Sequence, residues 1–169
     1  SLINKYIYGY DNDELENVVG NFLTKTNKTI SVAESCSGGN ISSLITSVPG
    51  SSKYFNGGIV AYSNEIKINS LDIDQDTLNK YGAVSKEVAE QMAKNVRIRF
   101  NSSIGISSTG IAGPDGGTKE KPVGTIWIAF SDKEKTISKK LMLTKRRDVN
   151  KILTTINALN LLRKNLKID

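Results

Sequence analysis

A chain of 169 residues, 38% of them hydrophobic, is the size of a single domain spanning 1–169 and can bury a core without disulfide or metal staples. It has no histidine and one cysteine, Cys36, which excludes every histidine mechanism and any intramolecular disulfide, disfavours a zinc site, and points to the cytoplasm. The formal charge of +6 is uneven: nine Lys or Arg residues fall between Lys139 and Lys167 against Asp148 alone, a local balance of +8 that leaves −2 for the remainder.

In chain order, Leu15, Val18, Val19, Phe22 and Leu23 recur at helical spacing and predict a helix over 11–25, with Asn12 or Asp13 as cap. Residues 29–33 (TISVA) read as a β-branched strand. Gly38-Gly39 then precedes a helix through Ile41, Leu44 and Ile45 that stops at Pro49-Gly50. A strand over 58–63, a short helix over 64–71 carrying Lys67 and another over 74–81 follow. Ser85 then opens a helix that reaches about Phe100 and buries Val88, Met92 and Val96. Residues 103–108 form a strand and 110–124 a loop holding five of the 14 glycines. Strands over 123–130 and 136–143 make a hairpin around Ser131-Asp132-Lys133. Val149, Ile152, Leu153, Ile156, Leu159 and Leu162 fill one face of a closing helix. This order predicts a three-layer α/β/α sandwich on a mixed β-sheet.

No run approaches the roughly 18 apolar residues of a membrane span, and the first 13 residues lack a signal-peptide layout, so no membrane partner is expected. Ser1 in place of Met suggests a trimmed start or an added residue, so the first few positions carry little weight. One basic face toward the C-terminus would suit a phosphate-bearing ligand, and a merely solvated face of the last helix is the plainer alternative. A DNA reader would add a recognisable helix-turn-helix, finger or aromatic-studded sheet. None is legible, so direct nucleic-acid binding ranks last.

Three segments could carry chemistry. In AESCSGG, 33–39, a strand gives way to a helix N-terminus whose N–H groups could cradle a phosphate, line an oxyanion hole beside a serine, or simply be capped by Ser35, Ser37 and Asn40. Spacing does not choose among these. In AYSNEIK, 61–67, Lys67 follows a strand end by one helical turn, where most lysines are solvated. The run GIAGPDGGTKEKPVG, 110–124, is long enough for a binding loop, with a flexible connector as the alternative. The phosphate-loop and dinucleotide glycine patterns are both absent, which removes support for nucleoside triphosphate hydrolysis and hydride transfer.

AESCSGG, GGIVAYSNEIK, YGAVS and STGIAGPDGGTKEKPVGTIW, in that order, make the chain resemble the CinA C-terminal domain family from about Leu15 to Leu162. The resemblance implies an α/β/α fold, a homodimer, and deamidation of nicotinamide mononucleotide to nicotinic acid mononucleotide in pyridine nucleotide salvage. No cofactor or metal is implied. It places the nucleophile on Ser35, a lysine on Lys67 and a tyrosine on Tyr62. Substrate contacts are implied at Cys36, Ser37, Gly38, Gly39, Thr109, Gly110, Gly113 and Arg147. Position 37 is Ser where the family more often has Thr, and the larger members' N-terminal partner domain has no room here, which implies the standalone form. A Ser-Lys mechanism fits a chain without histidine. At the ordinary lysine pKa of about 10.4 only about one amine in 2,500 is neutral at pH 7, so a base at Lys67 needs surroundings that push it well down. Tyr62 would relay a proton, N–H groups from Cys36 to Gly39 would receive the oxyanion, and Arg147 would hold the phosphate, with Lys145 or Arg146 as possible helpers. The competing reading is a non-catalytic nucleotide-binding or competence-associated accessory protein.

Overall fold

A computed structural model describes residues 14–168. Five strands, β1 (Ile30–Glu34), β2 (Phe55–Val60), β3 (Ile104–Gly110), β4 (Thr125–Ser131) and β5 (Thr136–Met142), form one sheet in the order β2-β1-β3-β4-β5. β1 runs parallel to both β2 and β3, while β4 is antiparallel to β3 and to β5, so the sheet is mixed. The helices are α1 (Leu15–Lys25), α2 (Asn40–Thr46), α3 (Asn64–Leu71), α4 (Gln75–Tyr81), α5 (Lys86–Arg99) and α6 (Arg147–Leu166).

Alternation along the strands sorts the two faces by size. Ile30, Val32, Ile104, Ile106, Ile126, Ile128 and Phe130 point to the side covered by α1, α2 and α6 and make the larger core. The opposite face carries Ser31, Ala33, Gly105, Ser107 and Ala129, and α5 lies close against it. Ser31 Oγ donates to the Val96 carbonyl at 3.0 Å and Ser107 Oγ to the Ala89 carbonyl at 2.6 Å, so small hydroxyls tie strand to helix where larger side chains would hold them apart. The α/β/α layering expected from the element order is the observed one.

The boundaries differ in instructive places. β2 ends at Val60, not at 63, because Ser63 caps α3 by accepting the Ile66 N–H at 3.1 Å. β3 runs on to Gly110, since its last residues pair with β4. A 3-10 turn over Ser51–Lys53 was not expected. The cap predicted at Asn12 or Asp13 lies outside the described residues; Glu14 precedes α1 there without a side-chain cap bond.

The single basic face is also corrected. Arg147 and Arg163 are sixteen residues apart on α6, about 24 Å along its axis, which divides the basic residues of this helix between its two ends. Arg163 is buried and donates to the Ile168 carbonyl at 2.9 Å, so it serves the helix end. No helix among the described residues is long and apolar enough to cross a membrane.

Candidate active site

The C-terminal ends of β1, β2 and β3 meet where the strand order reverses, β2 lying on one side of β1 and β3 on the other, the place where open α/β sheets bind ligands. Each contributes a segment to one cleft of about 240 Å³, lined by Ser35 and Cys36 after β1, by Tyr62, Asn64 and Lys67 after β2, and by Thr109 and Gly110 at the end of β3. Ala83 and Val84 close one side, and Ala112 and Arg147 the other.

Lys67 reaches this cleft from α3 with only 2% of its surface exposed. Its Nζ donates to the Ala61 carbonyl at 2.8 Å and is hydrogen-bonded to Ser35 Oγ at 3.2 Å. Desolvation holds the amine below its ordinary pKa, since burial penalises the charged form and no carboxylate pairs with it among the described residues. A neutral amine can donate one hydrogen to Ala61 and still offer its lone pair to the serine hydroxyl.

The turn after β1 is organised from within by Glu34. Its carboxylate is fully buried and accepts from Ser37 Oγ at 2.7 Å, Gly39 N at 2.9 Å and Ile41 N at 3.1 Å on one oxygen. Ser42 N at 2.9 Å and Ser42 Oγ at 2.7 Å donate to the other. Gly38 N donates to the Ser35 carbonyl at 3.1 Å and Ser35 N to the Ser108 carbonyl at 2.9 Å. Among the described residues, only the N–H groups of Cys36 and Ser37 in this turn are claimed by no protein oxygen. The four-donor cradle expected over 36–39 therefore narrows to two. Ser37, Gly38 and Gly39 are not among the residues that line the cleft, because the Ser37 hydroxyl and the Gly39 N–H face Glu34 and the Gly38 N–H turns back on the chain; of this stretch only the Ser37 N–H is left unclaimed beside that of Cys36. Burial pushes the Cys36 thiol up to about 12, with the Ser108 hydroxyl beside it opposing the shift.

Tyr62 is brought to the cleft but not to the Ser35–Lys67 pair. The residue is 60% exposed, and its hydroxyl accepts from an Arg147 Nη at 2.6 Å. The other Arg147 Nη donates to the Gly113 carbonyl at 3.0 Å, so Tyr62 and Arg147 form a strap across the opening that engages Gly113 through its backbone. Thr109 Oγ1 is occupied by the Ala83 carbonyl at 2.8 Å. Two expected helpers, Lys145 and Arg146, lie outside the cleft; Arg146 pairs instead with Asp148 at 2.6 Å.

The family model of the CinA C-terminal domain matches residues 12–166. The chain belongs to that family. It is 54% identical over 165 residues to a CinA-like protein of Cytophaga hutchinsonii and 52% identical over 166 residues to one of Amoebophilus asiaticus, in each case over 98% of this chain and 40% of the relative. The chain thus spans about 40% of the length of these curated relatives. Among solved structures it is similar to the competence/damage inducible protein CihA of Agrobacterium tumefaciens, with TM-score 0.87 and 33% identity over 92% of this chain and 96% of that one. A CinA superfamily protein of Escherichia coli aligns with TM-score 0.83 and 28% identity over 95% and 97% of the two chains. The strand-end cleft is accordingly the cleft of a CinA C-terminal domain.

Three site features escaped sequence reasoning. Glu34 reads as one more charged residue in a polar turn, and Asn64 as helix N-terminus. Ser108 sits in a strand seventy-one residues from Ser37 and yet within 2.6 Å of its hydroxyl. A glutamate inside an otherwise small, apolar strand was the one available signal, because such a charge is rarely buried without several donors.

Proposed function

We propose that this CinA-family chain hydrolyses the carboxamide of nicotinamide mononucleotide, releasing nicotinic acid mononucleotide and ammonia, with Ser35 as nucleophile and Lys67 as base. The observation that carries the reading is the buried, depressed Lys67 amine 3.2 Å from Ser35 Oγ at the strand ends. Neutral Lys67 accepts the Ser35 proton as Oγ bonds to the amide carbon, and the oxyanion falls to the Cys36 and Ser37 N–H groups. Collapse breaks the C–N bond as the Lys67 ammonium gives its proton to the amide nitrogen, which leaves as ammonia. A water deprotonated by Lys67 then hydrolyses the ester and restores the serine hydroxyl.

Arg147 is the anchor for the substrate phosphate, and Tyr62 steadies its guanidinium at the opening. The Tyr62 hydroxyl accepts from Arg147 and is hydrogen-bonded to neither Ser35 nor Lys67, so this anchoring role takes the place of the proton relay expected of it. The family resemblance also supports a homodimer, which light scattering at a known concentration would test; a monomer mass counts against it.

The decisive measurement is ammonia release from nicotinamide mononucleotide by the purified chain, Ser35→Ala and Lys67→Ala, with folding checked by circular dichroism. Each substitution is expected to lower the rate by at least about 10³-fold while the fold persists. A folded parent chain that binds the nucleotide and releases no ammonia replaces this reading with a non-catalytic, competence-associated one.

A further inference from the structure

We infer that Glu34 is a positioning residue for the nucleophile turn: its buried carboxylate gathers the N-terminal donors of α2 and the Ser37 hydroxyl, leaving the Cys36 and Ser37 N–H groups for the reaction. The inference rests on Ser35 being the nucleophile. Five hydrogen bonds converge on this carboxylate, two from hydroxyls at 2.7 Å and three from backbone N–H groups at 2.9 to 3.1 Å. The donors fall into two sets with different consequences. Ser42 holds the carboxylate to the helix, away from the cleft. Ser37 belongs to the turn that carries Ser35.

The Ser37 side extends further. Ser37 has one hydroxyl proton and gives it to Glu34, so in its 2.6 Å contact with Ser108 the Ser108 hydroxyl must be the donor. The Ser108 carbonyl receives the Ser35 N–H at 2.9 Å. Glu34, Ser37 and Ser108 therefore brace the turn from the helix side and from β3 at once. A carboxylate that accepts from N–H donors in place of a ligand also prevents α2 from competing with the cleft for an anion.

Ser37→Ala and Ser42→Ala each delete one hydroxyl donor at the same 2.7 Å distance from Glu34, which makes them a matched pair. Two readouts are measured for both, and for the near-isosteric Glu34→Gln: steady-state ammonia release, and the rate of Ser35 labelling by a fluorophosphonate, scored by intact mass and peptide mapping. Thermal unfolding accompanies each. Ser37→Ala is expected to slow labelling and kcat by at least 10-fold with KM within 3-fold, and Glu34→Gln by more. Ser42→Ala is expected to lower the unfolding temperature while labelling stays within 2-fold of the parent. Equal labelling losses in the two serine variants, or a folded Glu34→Gln that labels at the parent rate, would reduce Glu34 to an ordinary helix cap and overturn the inference. A parent chain labelled at Ser35 but inert toward nicotinamide mononucleotide sinks the substrate reading alone, since the labelling series still scores Glu34. No labelling of the parent at Ser35 overturns both.

Discussion

A lysine amine enclosed by protein and given only neutral partners favours the form without charge, and this sets a pH signature at the scale of one residue. Between the lowered native value of Lys67 and its ordinary value near 10.5, the unfolded chain holds a proton on this group that the native chain lacks. Raising the pH across that window therefore stabilises the native state, and lowering it through the native value removes the advantage. Activity should rise over the same lower limb, as the free base appears. In Lys67→Met the activity should vanish and the stability gain across that window should flatten; denaturant titrations at several pH values give the comparison. An unchanged slope would mean that another group titrates there. Tyr54 offers a second residue-level test. Its hydroxyl is buried without a hydrogen-bond partner among the described residues and faces Gly20 of α1. Removing an unsatisfied buried hydroxyl costs nothing in bonds, so Tyr54→Phe should leave stability equal or raise it by about 1 kcal/mol in urea melts.

At the scale of elements, the approach of α5 to the sheet depends on what the strands omit. A Cβ built on Gly105 would stand 1.9 Å from the Ala93 carbonyl oxygen and 2.8 Å from Arg97 Cβ, so any side chain there must push the helix away. Both obstacles are firm, one of them backbone. Gly105→Ala should destabilise the domain by about 3 kcal/mol or more, and chemical denaturation should show it in the midpoint. The amphipathic helices were legible from spacing because burial of Val88, Met92 and Val96 on one face of α5 needs only the 3.6-residue period. Strand ends were less so. Ser63 has the chemistry of a strand residue and of a helix cap, and the competition was decided by a hydrogen bond to Ile66 that appears only once α3 is in place.

Across the whole molecule, one buried side chain joins the segments that shape the cleft. Asn150, at 0% exposure in the first turns of α6, donates to the Ala112 and Thr144 carbonyls and accepts from the Thr144 N–H and hydroxyl, all at 2.9 Å. Every hydrogen-bonding position of the amide is used. It fastens the glycine-rich loop and the exit of β5 to the helix that carries Arg147. Asn150→Ala should therefore cost about 2 to 4 kcal/mol by leaving buried partners unpaired, and should raise KM more than it lowers kcat, because Arg147 loses its support. Calorimetry together with ammonia-release kinetics would test this; a stable variant with parental KM would show that the loop holds its place independently.

By itself the sequence determined the order of helices and strands, the mixed sheet, the exclusion of histidine chemistry and the membership of a family, all of which follow from local periodicity, composition and contiguous motifs. It also put Ser35 and Lys67 in view as separate candidates. Only the tertiary structure decided that they touch, that Tyr62 belongs with Arg147, and that the donors at the start of α2 are spent on Glu34. The physical reason is separation along the chain. Partners thirty-two, seventy-one or eighty-five residues apart are brought together by strand pairing and helix packing, and no local pattern encodes which of several polar groups a buried carboxylate or amine will meet.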